Sequence, residues 1–122
     1  MILSNERFVK LAIVGSRGFV DYRRFKYELG NIIQPHQIGV IVSGGADGAD
    51  TLADKYSREF AVPILTFYYE RALGRAGGPV RNEKIMAEAS HVIAFWDGVS
   101  PGTLSSINFA EEQGKYLKIV RV

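Results

Sequence analysis

Residues 38–50 read IGVIVSGGADGAD, and this stretch decides the fold class of the chain. Its first part, IGVIV at 38–42, is a short apolar run rich in β-branched residues, which predicts a buried strand. Ser43 and the glycines after it predict a tight turn, and residues 47–60 then carry apolar side chains at helical spacing. A buried strand, a tight turn and an amphipathic helix together form most of a βαβ unit, from which parallel sheets are built.

The rest of the chain repeats this alternation. We predict further strands at 8–14, 62–68, 91–96 and 117–122, further helices at 21–33, 81–90 and 103–114, and an irregular loop at 69–80. The strands are nearly continuous apolar runs, which indicates a sheet covered on both faces. Because crossovers are right-handed, the pattern predicts an α/β fold: one Rossmann-like three-layer domain over 1–122, with a mostly parallel sheet in the order 3-2-1-4-5.

Composition excludes several classes of function. The 122 residues include no cysteine, which excludes disulfides, thiolate metal sites and cysteine catalysis. Two isolated histidines, His36 and His91, do not make a zinc site, and we expect no metal. No apolar run approaches the roughly 20 residues of a membrane span, and the opening MILSNERFVK lacks the pattern of a secretory signal. We therefore expect a cytoplasmic protein with no membrane partner.

The predicted site lies at the carboxyl ends of the strands, where open α/β sheets bind ligands. Glycine-rich loops follow the first, second and fourth strands, and helix N-termini after such loops attract anions. The loops match neither the dinucleotide GxGxxG pattern nor the GxxxxGK[ST] phosphate loop. The predicted ligand-binding residues are Gly15, Ser16, Arg17, Ser43, Gly44, Gly45, Ala46, Asp47, Arg81, Asn82, Trp96, Asp97, Ser100, Gly102 and Thr103.

Several of these residues also have structural interpretations. Thr103 is expected to cap its helix, to face the ligand, or to do both. Arg17 is either a ligand contact or a solvated surface charge, and Trp96 is either part of the site or ordinary core. Asp50 and Asp54 lie one helical turn apart, and for Asp54 this spacing indicates a solvent-facing surface.

Four motifs resemble those of a known family. They are Gly15-Ser16-Arg17, IVSGGADGAD at 41–50, AGGPVRN at 76–82 and VIAFWDGVSPGT at 92–103. In this order they resemble the YspA-like branch of the SLOG superfamily, over about residues 10–120. That superfamily includes LOG phosphoribohydrolases, the DNA-processing protein DprA and molybdenum-cofactor carrier proteins. The resemblance implies a Rossmann-like fold and a nucleotide or phosphoribosyl ligand.

The chain departs from the resembled pattern at three places. LOG enzymes carry a catalytic glutamate in a PGGxGTxxE loop, whereas the matching stretch here is SPGTLSS at 100–106. Asp47 stands where relatives often have a basic residue, so it either points away from a phosphate or indicates a differently placed ligand. Tyr68-Tyr69-Glu70 replaces an Ala-Asp-Trp stretch, and Tyr68 is expected either to stack on a base or to belong to the core.

The sequence therefore favours binding of a nucleotide-derived small molecule, related to ADP-ribose or NAD, by a sensor, carrier or sequestering protein. The alternative is a nucleotide hydrolase that cleaves an N-glycosidic or phosphoester bond, with Asp47, Glu83 or Asp97 as candidate catalytic acids. Single-stranded nucleic-acid binding in the manner of DprA is less favoured, because the net charge of +2 comes without a basic block. No cofactor is implied beyond the nucleotide-type ligand, and a homo-oligomer is expected.

Overall fold

A computed structural model describes residues 9–122, so Phe8 of the predicted first strand lies outside the described residues. The described part alternates strand and helix along the chain, as the sequence predicts. The elements are β1 (Val9–Gly15), α1 (Tyr22–Gly30), β2 (Ile38–Ser43), α2 (Ala49–Phe60), β3 (Ile64–Thr66), α3 (Gly77–Glu88), β4 (His91–Trp96), α4 (Pro101–Glu112) and β5 (Tyr116–Arg121), with 3-10 helices at Pro35–Gln37 and Arg71–Ala76.

The strand order β3-β2-β1-β4-β5 confirms the prediction, and every neighbouring pair is parallel. The central strand is β1, in which Leu11 lies opposite Ile41 of β2 and His91 of β4. The chain therefore leaves β1 toward β2 and later returns to pair β4 on the other side. This reversal opens a crevice at the carboxyl end of β1, where ligands bind in folds of this kind.

Each face of the sheet buries its own hydrophobic cluster. On one face, α1 and α2 pack over the sheet, and the ring of Phe25 stacks 5.1 Å from that of Phe95. On the other face, α3 and α4 cover the sheet through residues such as Ile85, Met86 and Ile107. The two layers hold the sheet between them, so the loops at its carboxyl edge rise from a rigid base.

The largest differences from the sequence prediction are in the stretch 69–80, in the length of β3 and at the end of α1. The stretch 69–80 is not a loop: it contains the 3-10 helix Arg71–Ala76, and α3 begins at Gly77, four residues before its predicted start. Pro79 is compatible with this start because the first N–H groups of a helix have no intrahelical acceptor. The strand β3 covers only Ile64–Thr66, and α1 ends at Gly30, where glycine weakens a helix.

Gly48 brings the first two glycine-rich loops into direct backbone contact. It adopts a φ of 76°, and a Cβ built there would clash with the carbonyl oxygen of Ser16 and lie 2.6 Å from the Cα of Arg17. A side chain at this position meets backbone atoms, which cannot move aside as a flexible side chain can. Glycine is therefore required here by the packing of one loop on the other.

We predict that Gly48→Ala lowers the free energy of unfolding by at least about 2 kcal/mol, through its disfavoured φ and the clash with the Ser16–Arg17 backbone. Urea unfolding of both proteins measures the difference. The control is Gly30→Ala, where a built Cβ meets nothing within 4 Å and the change should stay within about 1 kcal/mol. Equal stabilities of Gly48→Ala and the parent protein would contradict this account of the loop contact.

Candidate functional site

A cavity of about 390 Å³ opens at the carboxyl edge of the sheet, beside the end of β1. Its walls come from the loops after β1 and β2, from one side of α3 and from the first turns of α4. The lining residues are Val14, Gly15, Ser16, Arg17, Gly18, Gly44, Ala46, Asp50, Arg81, Asn82, Ile85, Ser100, Pro101, Gly102, Thr103 and Ser106.

Ser16 ties the two strands on either side of the crevice together. Its N–H donates to the carbonyl oxygen of Phe95 at 2.9 Å, and its hydroxyl oxygen accepts from the N–H of Asp97 at 3.1 Å. The residue is buried, with 3% of its surface exposed. Ser16 thus lines the cavity while it also fixes the separation of the loops that form the walls.

Asp97 fixes the turn that connects β4 to α4. Its carboxylate accepts from the N–H of Val99 at 2.9 Å, and from the N–H and hydroxyl of Ser100 at 2.7 and 2.6 Å. These donors, the Ser100 hydroxyl first, lower the pKa of Asp97 to about 2. The indole N–H of Trp96 donates to the Ser100 carbonyl oxygen at 3.1 Å and secures the same turn. Asp97 and Trp96 therefore support the site rather than line its cavity.

The N-terminus of α4 faces the cavity. Ser100 is its N-cap residue, but the Ser100 hydroxyl bonds to Asp97 and caps no N–H of the helix. The first turn holds no acidic residue, and Pro101, Gly102 and Thr103 line the cavity. Because the first N–H groups of a helix lack intrahelical acceptors, this end carries partial positive charge toward the cavity. Thr103 is buried in this turn and does not occupy the cap position.

Arg81 reaches the cavity from the second turn of α3. One terminal nitrogen of its guanidinium donates to the carbonyl oxygen of Gly44 at 3.3 Å, and Nε donates to the buried Asn82 side chain at 3.4 Å. A Cβ on Gly44 would lie 3.1 Å from the guanidinium carbon. Glycine at 44 therefore leaves the space that Arg81 occupies, and places a cation against the second glycine-rich loop.

Asp50 is a site residue that sequence reasoning missed. It lies in the first turn of α2 with 8% of its surface exposed, and its carboxylate accepts from the N–H of Ala46 at 3.0 Å. Burial raises the pKa of Asp50, while the Ala46 N–H and the charge of Arg81 oppose that rise. The available signal was its place in the first turn after the glycine-rich loop, where a carboxylate meets the positive end of a helix.

The structure brings most of the predicted ligand-binding residues together. Gly15, Ser16, Arg17, Gly44, Ala46, Arg81, Asn82, Ser100, Gly102 and Thr103 line the cavity, and Gly45 lines a second cavity beside it. Outside both lie the buried Ser43, the half-buried Trp96 and Asp97, and the exposed Asp47 and Glu83. The lining residues that the sequence did not single out for the site are Val14, Gly18, Asp50, Ile85, Pro101 and Ser106.

The cavity combines positive charge with one buried carboxylate. Arg17, Arg81 and the α4 N-terminus supply positive charge, and Thr103 and Ser106 supply hydroxyl groups. Across residues 9–122, no group of three or more His, Asp or Glu side chains is arranged to hold a metal ion. No helix in the same part of the chain is long and apolar enough to cross a membrane.

The chain is similar to one family of known sequences and to a solved structure. A family model described as the YspA, cpYpsA-related SLOG family matches residues 9–73, while no curated protein sequence matches the chain. Among solved structures, the X-ray structure of DNA processing protein A (DprA) from Streptococcus pneumoniae is similar, with 22% identity and a TM-score of 0.74. The match covers 94% of this chain and 51% of the DprA chain, so this chain spans about half of that protein. At this identity the likeness shows the fold.

We predict that Asp97→Asn lowers the free energy of unfolding at neutral pH and that this deficit shrinks in acid. The lowered pKa means that the carboxylate stabilises the fold above its ordinary pKa, and that the contribution disappears as the pH falls toward about 2. Urea unfolding from about pH 5 downward measures the deficit. Asp47→Asn, at an exposed position in the neighbouring loop, is the matched control. A deficit that is the same at every pH would show that the Asp97 charge is not responsible.

Proposed function

This chain belongs to the YspA, cpYpsA-related SLOG family, and on that premise we propose that its cavity binds a nucleotide-derived small molecule through a phosphate group without cleaving it. The observation that carries the proposal is the convergence of Arg81, Arg17 and the α4 N-terminus on one cavity at the carboxyl edge of the sheet. The cavity volume, about 390 Å³, falls within the usual range for small-molecule sites.

A phosphate fits the positive end of this cavity. The unpaired N–H groups at a helix N-terminus and the planar fork of an arginine both bind phosphate oxygens well. Arg81 is held in place by Gly44 and Asn82, so less side-chain freedom is lost when a ligand binds. Such a cation contributes more to affinity than a freely moving surface arginine does.

The buried Asp50 favours a sugar phosphate over a bare inorganic anion. A carboxylate repels a phosphate but accepts hydrogen bonds from sugar hydroxyl groups. Asp50 lies on the same cavity wall as Ala46, while Thr103 and Ser106 approach from α4. Cationic and carboxylate groups in one cavity match a ligand that carries an anionic end and a hydroxyl-bearing part, as a phosphoribosyl group does.

We infer binding without cleavage because the cavity, as formed by residues 9–122, lacks a pair of acidic side chains. Glycosidic cleavage ordinarily uses two carboxyl groups on either side of the scissile bond. Of the candidate acids Asp47, Glu83 and Asp97, none lines the cavity, and the carboxylate of Asp97 is engaged by Val99 and Ser100. Among the acidic residues in the described part of the chain, Asp50 alone reaches this cavity.

Asp50 also favours a second candidate function, hydrolysis of the bound nucleotide. A buried carboxyl group with a raised pKa is suited to donating a proton to a leaving group. This candidate uses Asp50 in place of the three acids considered from the sequence. The similarity to a DNA-processing protein makes single-stranded nucleic acid a third ligand to include in the binding test. A cytoplasmic location, a homo-oligomeric state and a single domain over 1–122 remain predictions.

We predict that AMP, ADP-ribose or ribose 5-phosphate raises the midpoint of thermal unfolding and that Arg81→Ala removes the shift. A ligand at ~100 times its dissociation constant adds about 2.7 kcal/mol to the stability of a protein. Lys84→Ala is the matched control, because Lys84 lies on the same helix but pairs with Glu70 at 3.1 Å. Absence of a shift with every ligand, or an equal shift in Arg81→Ala, would refute the proposed phosphate site.

Mass spectrometry of the same mixtures distinguishes binding from hydrolysis. We expect each ligand to be recovered intact after prolonged incubation. A product that forms with the parent protein and not with Asp50→Asn, although the variant still shows the ligand-induced thermal shift, would instead establish the second candidate, because binding is kept and the proton-donating group is lost. Binding that weakens steeply with salt for a single-stranded oligonucleotide, and is absent for mononucleotides, would identify nucleic acid as the partner.

A further inference from the structure

A second cavity, of about 650 Å³, adjoins the first on its outer side. The two are continuous: seven residues line both, namely Arg17, Gly44, Ala46, Arg81, Asn82, Pro101 and Gly102. The composition of the walls changes from the inner cavity to the outer one. Asp50 and Thr103 line the inner cavity but not the outer one. Tyr68, Tyr69 and Arg71 line the outer cavity but not the inner one.

The strand before Tyr68 positions this residue in the wall of the outer cavity. The N–H of Phe67 donates to the Ser43 carbonyl oxygen at 2.8 Å, which anchors the backbone just before Tyr68. Its ring then lies against Gly45, where a Cβ would be 2.7 Å from the ring carbon Cε1. Gly45 has a φ of 69° and leaves room for this ring on the second glycine-rich loop.

Tyr68 is not a core residue, since 71% of its surface is exposed. This excludes the core interpretation that the sequence left open. Tyr69 differs from it: the Tyr69 hydroxyl donates to the Gly74 carbonyl oxygen, and its ring packs against Gly77, where a Cβ would lie 3.1 Å away. Tyr69 therefore holds the chain between β3 and α3, while the ring of Tyr68 is available to a ligand.

We propose that Tyr68 is the stacking surface for the base of the nucleotide whose phosphate occupies the inner cavity; this inference rests on the proposed function. An exposed aromatic ring beside a cationic cavity suits a ligand with a flat π system at one end and an anion at the other. Stacking tolerates every base because each has a π face. The outer cavity thus selects nucleotides over simple sugar phosphates without choosing strongly among bases.

The test compares AMP with ribose 5-phosphate, because the two differ by the base alone. Isothermal titration calorimetry measures both affinities for the parent protein, Tyr68→Ala, Tyr68→Phe and Tyr27→Ala. Tyr27 is the matched control: it is 68% exposed but lies on α1, away from both cavities. We expect Tyr68→Ala to weaken AMP binding about tenfold, the usual loss for one stacked base, and to leave ribose 5-phosphate binding unchanged. Tyr68→Phe and Tyr27→Ala should keep both affinities.

The outcomes separate this inference from the proposed function. If the parent protein binds ribose 5-phosphate as tightly as AMP, or if Tyr68→Ala leaves AMP binding unchanged, the phosphate site stands and the base site is refuted. Equal weakening of both ligands by Tyr68→Ala would show that Tyr68 shapes the phosphate site instead. If neither ligand binds the parent protein, the proposed function and this inference both fail.

Discussion

The backbone contact between Gly48 and the Ser16–Arg17 segment fixes how the carboxyl edge of the sheet is built. It brings the loop after β2 against the loop after β1, and Ser16 in turn bonds to Phe95 and Asp97 at β4. The three loops after the three central strands are thereby held as one unit. Two of these loops form walls of the cavity, so the shape of the cavity depends on the contact between Gly48 and the Ser16–Arg17 backbone.

The surroundings of each glycine show why a side chain is absent there, which the number of glycines in the sequence does not show. Because Gly48 has no side chain, the Ser16–Arg17 backbone lies close to it. A Cβ at Gly15 would clash with Phe95 and Ala49, and a Cβ at Gly98 would clash with the Arg121 guanidinium. These glycines serve packing within the protein. Gly44 is different, because it lines the cavity and makes room there for the Arg81 guanidinium, which donates to its carbonyl oxygen. Glycine-rich loops of this kind specify the fold and the place of the site more strongly than they specify its ligand.

Sequence reasoning predicts the strand order and the edge of the sheet at which the cavity opens, because both follow from apolar runs and right-handed crossovers, which are local and general properties. It fails where long-range packing decides. The start of α3 at Gly77 was missed because Gly-Gly-Pro is typical of a loop, yet Pro79 is compatible with a first helical turn. Asp50 and Asp54 look alike in the sequence, and the packing of the cavity wall around Asp50 makes it the buried one. Tyr68 likewise lies against Gly45 while 71% of its surface stays exposed, a placement that the alternation of residue types along the chain does not predict.

In the proposed function, the inner cavity binds the phosphate through charge and the outer cavity binds the base through stacking. Charge at the inner end acts on any phosphate, and it is supplied by the α4 N-terminus and by Arg81, both anchored by hydrogen bonds to the framework. The outer end adds the ring of Tyr68, which is 71% exposed and outside the hydrophobic core. Tyr68 and Tyr69, two of the three residues that depart from the resembled Ala-Asp-Trp pattern, lie at this outer end. Under the proposed function, substitution of Tyr68 therefore alters the contact with a base while the hydrogen bonds of Arg81 and Ser100 stay in place.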